Sequence, residues 1–312
     1  MSGTRIYEPR LAEAWNDFNA RARNGHFLFD RRFMDYHADR FEDASLAVFE
    51  GDRIVGLIPA SRHGDEVVSH GGLTFGGLVV DRAGTAQVMT MLDACAEAWA
   101  RVGAKTLTYK AMPSIYAAAP AEADRYWLFR NGARLVRRDL SAAIDYRARG
   151  AVSTRRSRGI KKAASGGLSF GRSSNWPGYW ELLAKVLEDR HGVSPVHSLA
   201  EIEMLAGRFP DEIALYTAER AGRILAGVVA FRSRFVAHAQ YIAADEEGRQ
   251  AAALDGLFEH MIGVHAEGCR HFDFGISNTD RGRVLNEGLM RQKEEFGASA
   301  VACDFYELGI GR

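Results

Sequence analysis

The chain has 312 residues, long for one hydrophobic core and sufficient for two of about 150 residues each. Its 40 Lys and Arg balance 40 Asp and Glu, and a zero net charge argues against a protein that coats nucleic acid, DNA above all, over its whole surface. No run approaches the length of a membrane span and MSGTRIYEPR is not an apolar leader, so the expected compartment is the cytoplasm. Cys95, Cys269 and Cys303 lie far apart with no CxxC pair, which gives no basis for expecting a disulfide framework or a metal site.

Trp15 and Phe18 place a helix at about residues 11–22. Ser45-Leu46-Ala47-Val48-Phe49 reads as a strand, and Glu50-Gly51-Asp52 as a tight turn in which glycine supplies the positive φ. Arg53-Ile54-Val55-Gly56-Leu57-Ile58 is the partner strand. Val67-Val68-Ser69-His70 and Leu78-Val79-Val80 are extended, with the glycine-rich stretch His70 to Gly77 between them as an irregular connection. It lacks the Lys-Ser/Thr of a nucleotide-binding loop. Val88, Met91, Leu92, Cys95, Trp99 and Val102 form one apolar stripe at helical spacing; Gly103 ends that helix and Lys105 to Tyr109 is the next strand.

After a basic stretch the same order returns. Trp180, Leu183 and Leu187 mark a helix, and Ser198-Leu199-Ala200-Glu201 is a capping box that opens another. Ile213 to Tyr216, the turn at Glu219 to Gly222 and Arg223 to Val229 make a hairpin. Phe235 to Ile242 is extended, Leu254, Leu257, Phe258, Met261 and Ile262 form a helical stripe, and Arg270 to Phe274 is the following strand. Agreement of turn, helix, helix stop and strand indicates a duplicated unit of about 65 residues, with His70 and His238 at similar places. Residues 300–308 alternate as a last strand. The module boundary is expected at 147–154, giving modules 1–150 and 151–312.

A hairpin, further antiparallel strands, an amphipathic helix and a crossover strand, present twice, resemble the core of the GCN5-related N-acetyltransferases (GNAT), and the tandem resembles their FemAB-like branch. Phe272-Asp273-Phe274-Gly275 is similar to that branch's "DFG-small" strand end. Gln292 to Ala298 is similar to its "FK..FG" segment, although Gln292 replaces the usual aromatic residue, and Arg155 to Ala163 is similar to its "R…R…KA" helix. The resemblance implies an α/β fold of two GNAT-like modules, each a mixed, mainly antiparallel sheet flanked by helices. It further implies an acyltransferase with an acceptor-side first module, a donor-side second module and a cleft between them. Acyl-CoA, such as acetyl-CoA, is the implied co-substrate. Gly248 to Ala253, with Arg249 and Gln250, stands where the family's Q/RxxGxG/A loop holds pyrophosphate, but without the loop's glycines. Lys293 takes the position of a lysine that works near the acyl donor.

Acyl transfer to an amine needs a base, a site for the developing oxyanion and a proton for the leaving group. His238 is the first candidate base, against packing on a strand face; Tyr241 is a candidate proton donor, against a core role. Asp273, at a strand end beside small residues, reads as a base or acceptor contact, or with Ser277 as an organiser of its loop. Asn286 and Lys293, seven apart, share a face if 284–293 is helical. His70 reads as an acceptor-site or structural residue. Arg155, Arg158, Lys161 and Lys162 belong to a run with no acid between Arg147 and Gly167, which is either a solvated face or a site for phosphates.

Three functions remain open on these residues. The first is transfer of an acyl group from acyl-CoA to an amine on a sugar-nucleotide, glycan-precursor or amino-acid-like acceptor. The second is aminoacyl-tRNA-dependent transfer to a peptidoglycan-type precursor, with tRNA as partner. The third is a GNAT-fold binding protein without catalysis.

Overall fold

The computed structural model describes residues 2–311. The chain forms two compact units. The first runs up to Leu140 and includes Asn278–Val284 and the residues from Ala302 onward; the second comprises Ser141–Ser277 and Leu285–Val301.

In the first unit the order is β1 (Ser2–Ile6), α1 (Ala12–Arg21), α2 (Arg31–Met34), β2 (Glu42–Asp43), β3 (Leu46–Glu50), β4 (Arg53–Ile58), β5 (Ser61–His63), β6 (Glu66–Val68) and β7 (Val79–Val80). Then come α3 (Thr85–Arg101), β8 (Thr106–Lys110), α4 (Ala123–Arg130) and the start of β9 (Arg134–Asp145). Strands β1, β3, β4 and β7 make an antiparallel sheet in that spatial order. Separately, β2, β5 and β6 lead to β8, with β6 and β8 parallel. The α3 stripe supplies the core: Met91, Leu92, Cys95 and Trp99 are buried with Val48, Leu107 and Tyr109. Each such large side chain contributes about 2–3 kcal/mol by leaving water, and the Trp99 indole N–H is satisfied by the Ala44 carbonyl at 2.8 Å.

The second unit takes in the end of β9, α5 (Thr154–Ser165), β10 (Ser169–Ser173), α6 (Trp176–His191), α7 (Leu199–Arg208), β11 (Ile213–Arg220), β12 (Arg223–Arg232) and β13 (Val236–Ala244). It continues with α8 (Glu246–Gln250), α9 (Ala253–His265) and β14 (His271–Ile276). After the short strands β15 (Asn278–Thr279) and β16 (Val284–Leu285), α10 (Glu287–Glu294) and β17 (Ser299–Gly309) complete the chain. The sheet order is β10-β11-β12-β13-β14-β9, antiparallel except for the β13–β14 pair.

The repeat read from the sequence is present. In each unit a strand and two helices precede a hairpin, and a long helix then leads to a strand that pairs in parallel. The leading strands β1 and β10 gave no signal of their own. The first copy departs in its third strand, which breaks into β5 and β6. By register, Val68 opposite Thr108 stands where His238 stands opposite Asp273. His70 lies two residues further on, outside the strand and in the left-handed region at φ 58°. The helix expected over 284–293 begins later, at Glu287, because the Asn286 side chain turns back to accept from the Leu289 amide and caps it.

Candidate active site

The site begins where two strands part. Strands β13 and β14 pair through Val236–His271, Ala237–Phe272 and His238–Asp273, and β14 offers β13 no register partner beyond that. Residues His238 and Asp273 therefore sit at the fork. Phe272 and Phe274 point to the opposite face, packing on Phe258 of α9 with ring centroids 6.2 and 5.1 Å away. That aromatic layer fixes the direction of Asp273 between them.

A bulge brings Tyr241 to the same face. Phe231 faces His238 and Val229 faces Tyr241, but Gln240 has no opposite number on β12. Val229 and Phe231 are two apart on one strand and share a face, so His238 and Tyr241 do as well. Helix α6 covers this face: a Cβ on Gly227 would lie 2.3 Å from the Tyr179 ring.

His238 Nδ1 is 2.8 Å from Asp273 Oδ2. A carboxylate only accepts, so Nδ1 carries hydrogen and the neutral ring keeps its lone pair on Nε2. The other oxygen, Oδ1, accepts from the Ser141 hydroxyl at 2.5 Å and the Gly275 amide at 3.0 Å. Burial alone would raise Asp273, but the charge and hydrogen bond of His238, with those from Ser141 and Gly275, hold the carboxyl down at about 2. Gly275 turns at φ 80°, a conformation that costs a side chain about 1–2 kcal/mol.

Lys293 of α10 is buried and donates to the carbonyls of Gly275 at 2.8 Å and Ile276 at 2.7 Å. Burial pulls the ammonium down to about 8, against the attraction of Asp273. Ser277 is fully buried, and its hydroxyl has no hydrogen-bond partner among the described residues. On the α6 side, Tyr241 Oη is 2.5 Å from His197 Nδ1, and the Trp180 indole N–H donates to the His197 carbonyl at 3.2 Å.

The remaining candidates separate. Asn286 is a helix cap, joined to the site only through its amide, which donates to the Ser277 carbonyl at 2.8 Å. Arg155, Arg158, Lys161 and Lys162 are exposed on α5, whereas Arg156 between them is buried and paired with Asp255 and Glu295. Arg249 pairs with Glu246 and donates to the Ala244 carbonyl at 3.0 Å; Gln250 donates to Glu246 at 3.1 Å. Ala252, opening α9, holds a left-handed backbone at φ 56°, so the bend a glycine would favour survives without one. In the first unit His70 is buried, stacked on His37 with centroids 5.5 Å apart, and pushed down to about 3 by burial and by the charges of His37, Lys110 and Arg31. The Lys110 ammonium donates to the His70, Gly71 and Leu73 carbonyls, which makes the glycine-rich loop a cation cradle.

Sequence reasoning missed Ser141 and His197. Ser141 is an unmarked strand residue, and His197 stands in a loop just before the capping box, where nothing indicates its partner across the sheet.

The His238–Asp273 dyad thus lies at the fork of two parallel strands. Residues 147–281 match the family described as "Acetyltransferase (GNAT) domain". The match spans less than half of the chain, and the chain as a whole has the fold of tandem GNAT proteins. It is similar to the crystal structure of FemX, at 11% identity and a TM-score of 0.70, over 99% of this chain and 97% of that one. It is also similar to the C-terminal domain of a putative lysylphosphatidylglycerol synthetase from Agrobacterium fabrum, at 13% identity and 0.62, over 97% and 92%. A tandem GNAT protein from the clavulanic acid biosynthesis pathway matches at 13% identity and 0.53, over 100% and 99%. No curated protein sequence matches.

Proposed function

We propose that the chain is an N-acyltransferase, with residues 151–312 as the donor module, that moves an acyl group from acyl-CoA to an amine on a sugar-nucleotide, glycan-precursor or amino-acid-like acceptor. The observation that carries this reading is the His238–Asp273 pair at the fork of β13 and β14. An alkyl ammonium titrates near pH 10, so its attack on a carbonyl at neutral pH needs a base. His238 Nε2, oriented by Asp273, is that base. Backbone groups of β13 beyond the fork face the acyl oxygen, and Tyr241 protonates the leaving group. The Lys293 ammonium holds the Gly275–Ile276 turn that carries Asp273.

A second donor, aminoacyl-tRNA, is favoured by two observations. Arg249 and Gln250, the phosphate contacts expected for CoA, are both engaged by Glu246, and Glu247 lies beside it. The exposed cations of α5 suit a phosphate backbone. Incubation with acetyl- and longer acyl-CoA thioesters and amine acceptors, reading thiol release and N-acyl product, tests the leading reading. RNase-sensitive transfer from charged tRNA would replace it, and absence of turnover with both donors would leave a binding protein.

A further inference from the structure

We infer that His197 is a positioning residue that holds Tyr241 as the proton donor to the leaving group; this rests on the acyl-transfer reading above. Three contacts on one side of the second unit's sheet support it. The Gln240 bulge turns Tyr241 to the face of His238. Its hydroxyl oxygen lies 2.5 Å from His197 Nδ1. The His197 backbone is fixed by the Trp180 indole, and the Trp180 ring meets the Tyr241 ring edge-on at 5.3 Å. A phenol has one hydrogen to give. If that hydrogen went to His197, none would remain for the substrate. With hydrogen on Nδ1, His197 donates to the phenol oxygen, and the Tyr241 hydrogen is not committed to His197.

The step balances as follows. The amine nitrogen bonds to the acyl carbon, and its surplus proton goes to His238 Nε2. The bond from acyl carbon to sulfur (or to a ribose oxygen) breaks, and the departing atom takes the Tyr241 hydroxyl proton. The phenolate is held by the hydrogen bond from His197 Nδ1 and recovers its proton from water as the products leave. His238 and His197 thus serve opposite ends of one transfer, the first beside a carboxylate and the second beside a phenol.

Nitrogen-15 NMR of histidine-labelled protein, with His197→Asn used to assign the resonance, is expected to show Nδ1 of His197 protonated at neutral pH. In turnover, His197→Ala is expected to lower kcat about 100-fold for alkyl thioesters with KM unchanged, and to matter little for an aryl thioester whose thiol leaves without a proton. His197→Asn keeps a donor near Nδ1 and is expected to recover most of the rate. An unprotonated Nδ1, or equal losses with both thioesters at unchanged thermal stability, overturns the inference. Should no donor be consumed at all, the transfer reading falls with it, whereas an unprotonated Nδ1 in an active enzyme overturns the His197 assignment alone.

Discussion

His238 and Asp273 are the last residues in register before β13 and β14 separate, and their side chains meet at 2.8 Å. The strand pairing that ends there also sets the pair's geometry, since adjacent residues of parallel strands project to one face. Asp273→Asn removes the acceptor-only partner and permits the wrong tautomer, with Nε2 protonated. Loss of at least about 100-fold in kcat/KM is expected, together with a lowered melting temperature, since the contacts that favour the ionised carboxyl are lost. Steady-state rates beside thermal unfolding check this; a fully active Asn variant would remove His238 from the base role.

Lys293 gives the site an alkaline limit. Its ammonium titrates at about 8, and once neutral it holds the Gly275 and Ile276 carbonyls less firmly. Activity is expected to fall as pH rises through about 8. Lys293→Met, similar in length and apolar, should be slower by about 10-fold and lose that descending limb. A pH–rate profile of the two proteins decides it.

Acid stability turns partly on His70. Its folded value of about 3 is below the 6.5 of an open imidazole, so the unfolded chain takes up the proton first. The contribution is complete above pH 6.5 and is lost as pH falls toward 3. At pH 5 it has declined by about 2 kcal/mol. His70→Asn, which tolerates the left-handed backbone, is expected to flatten the decline in unfolding free energy between pH 6.5 and 4. Denaturant titrations at several pH values measure that slope.

Neighbouring arginines of α5 should behave oppositely. Arg156→Met strands Asp255 and Glu295, which both pair with it, and is expected to cost about 3–5 kcal/mol. Arg158→Ser, Lys161→Ser and Lys162→Ser are expected to change stability by less than about 0.5 kcal/mol each. If charged tRNA is the donor, each should reduce the salt dependence of RNA binding by about 0.7 in slope. Thermal unfolding and salt titrations separate the two groups.

Local chemistry made much of the molecule legible in one dimension. Turn glycines, the α3 and α9 stripes and the Ser198 capping box are set by residues a few positions apart, so the repeated order and the GNAT-like fold could be read directly. Asp273 is marked by its place at a strand end beside small residues and by the resemblance of Phe272 to Gly275 to the "DFG-small" strand end. What the chain order could not reveal depended on contacts across strands. Simple alternation puts His238 and Tyr241 on opposite faces, and only the pairing of β13 with β12 extrudes Gln240 and unites them. Ser141 and His197 reach their partners from 132 and 44 residues away. Arg156 became a buried ion-pair centre, and Arg155 stayed in solvent, through the packing of one helix face. Periodicity is a property of neighbours along the backbone, whereas hydrogen-bond partners are chosen by how sheets and helices close upon each other in space.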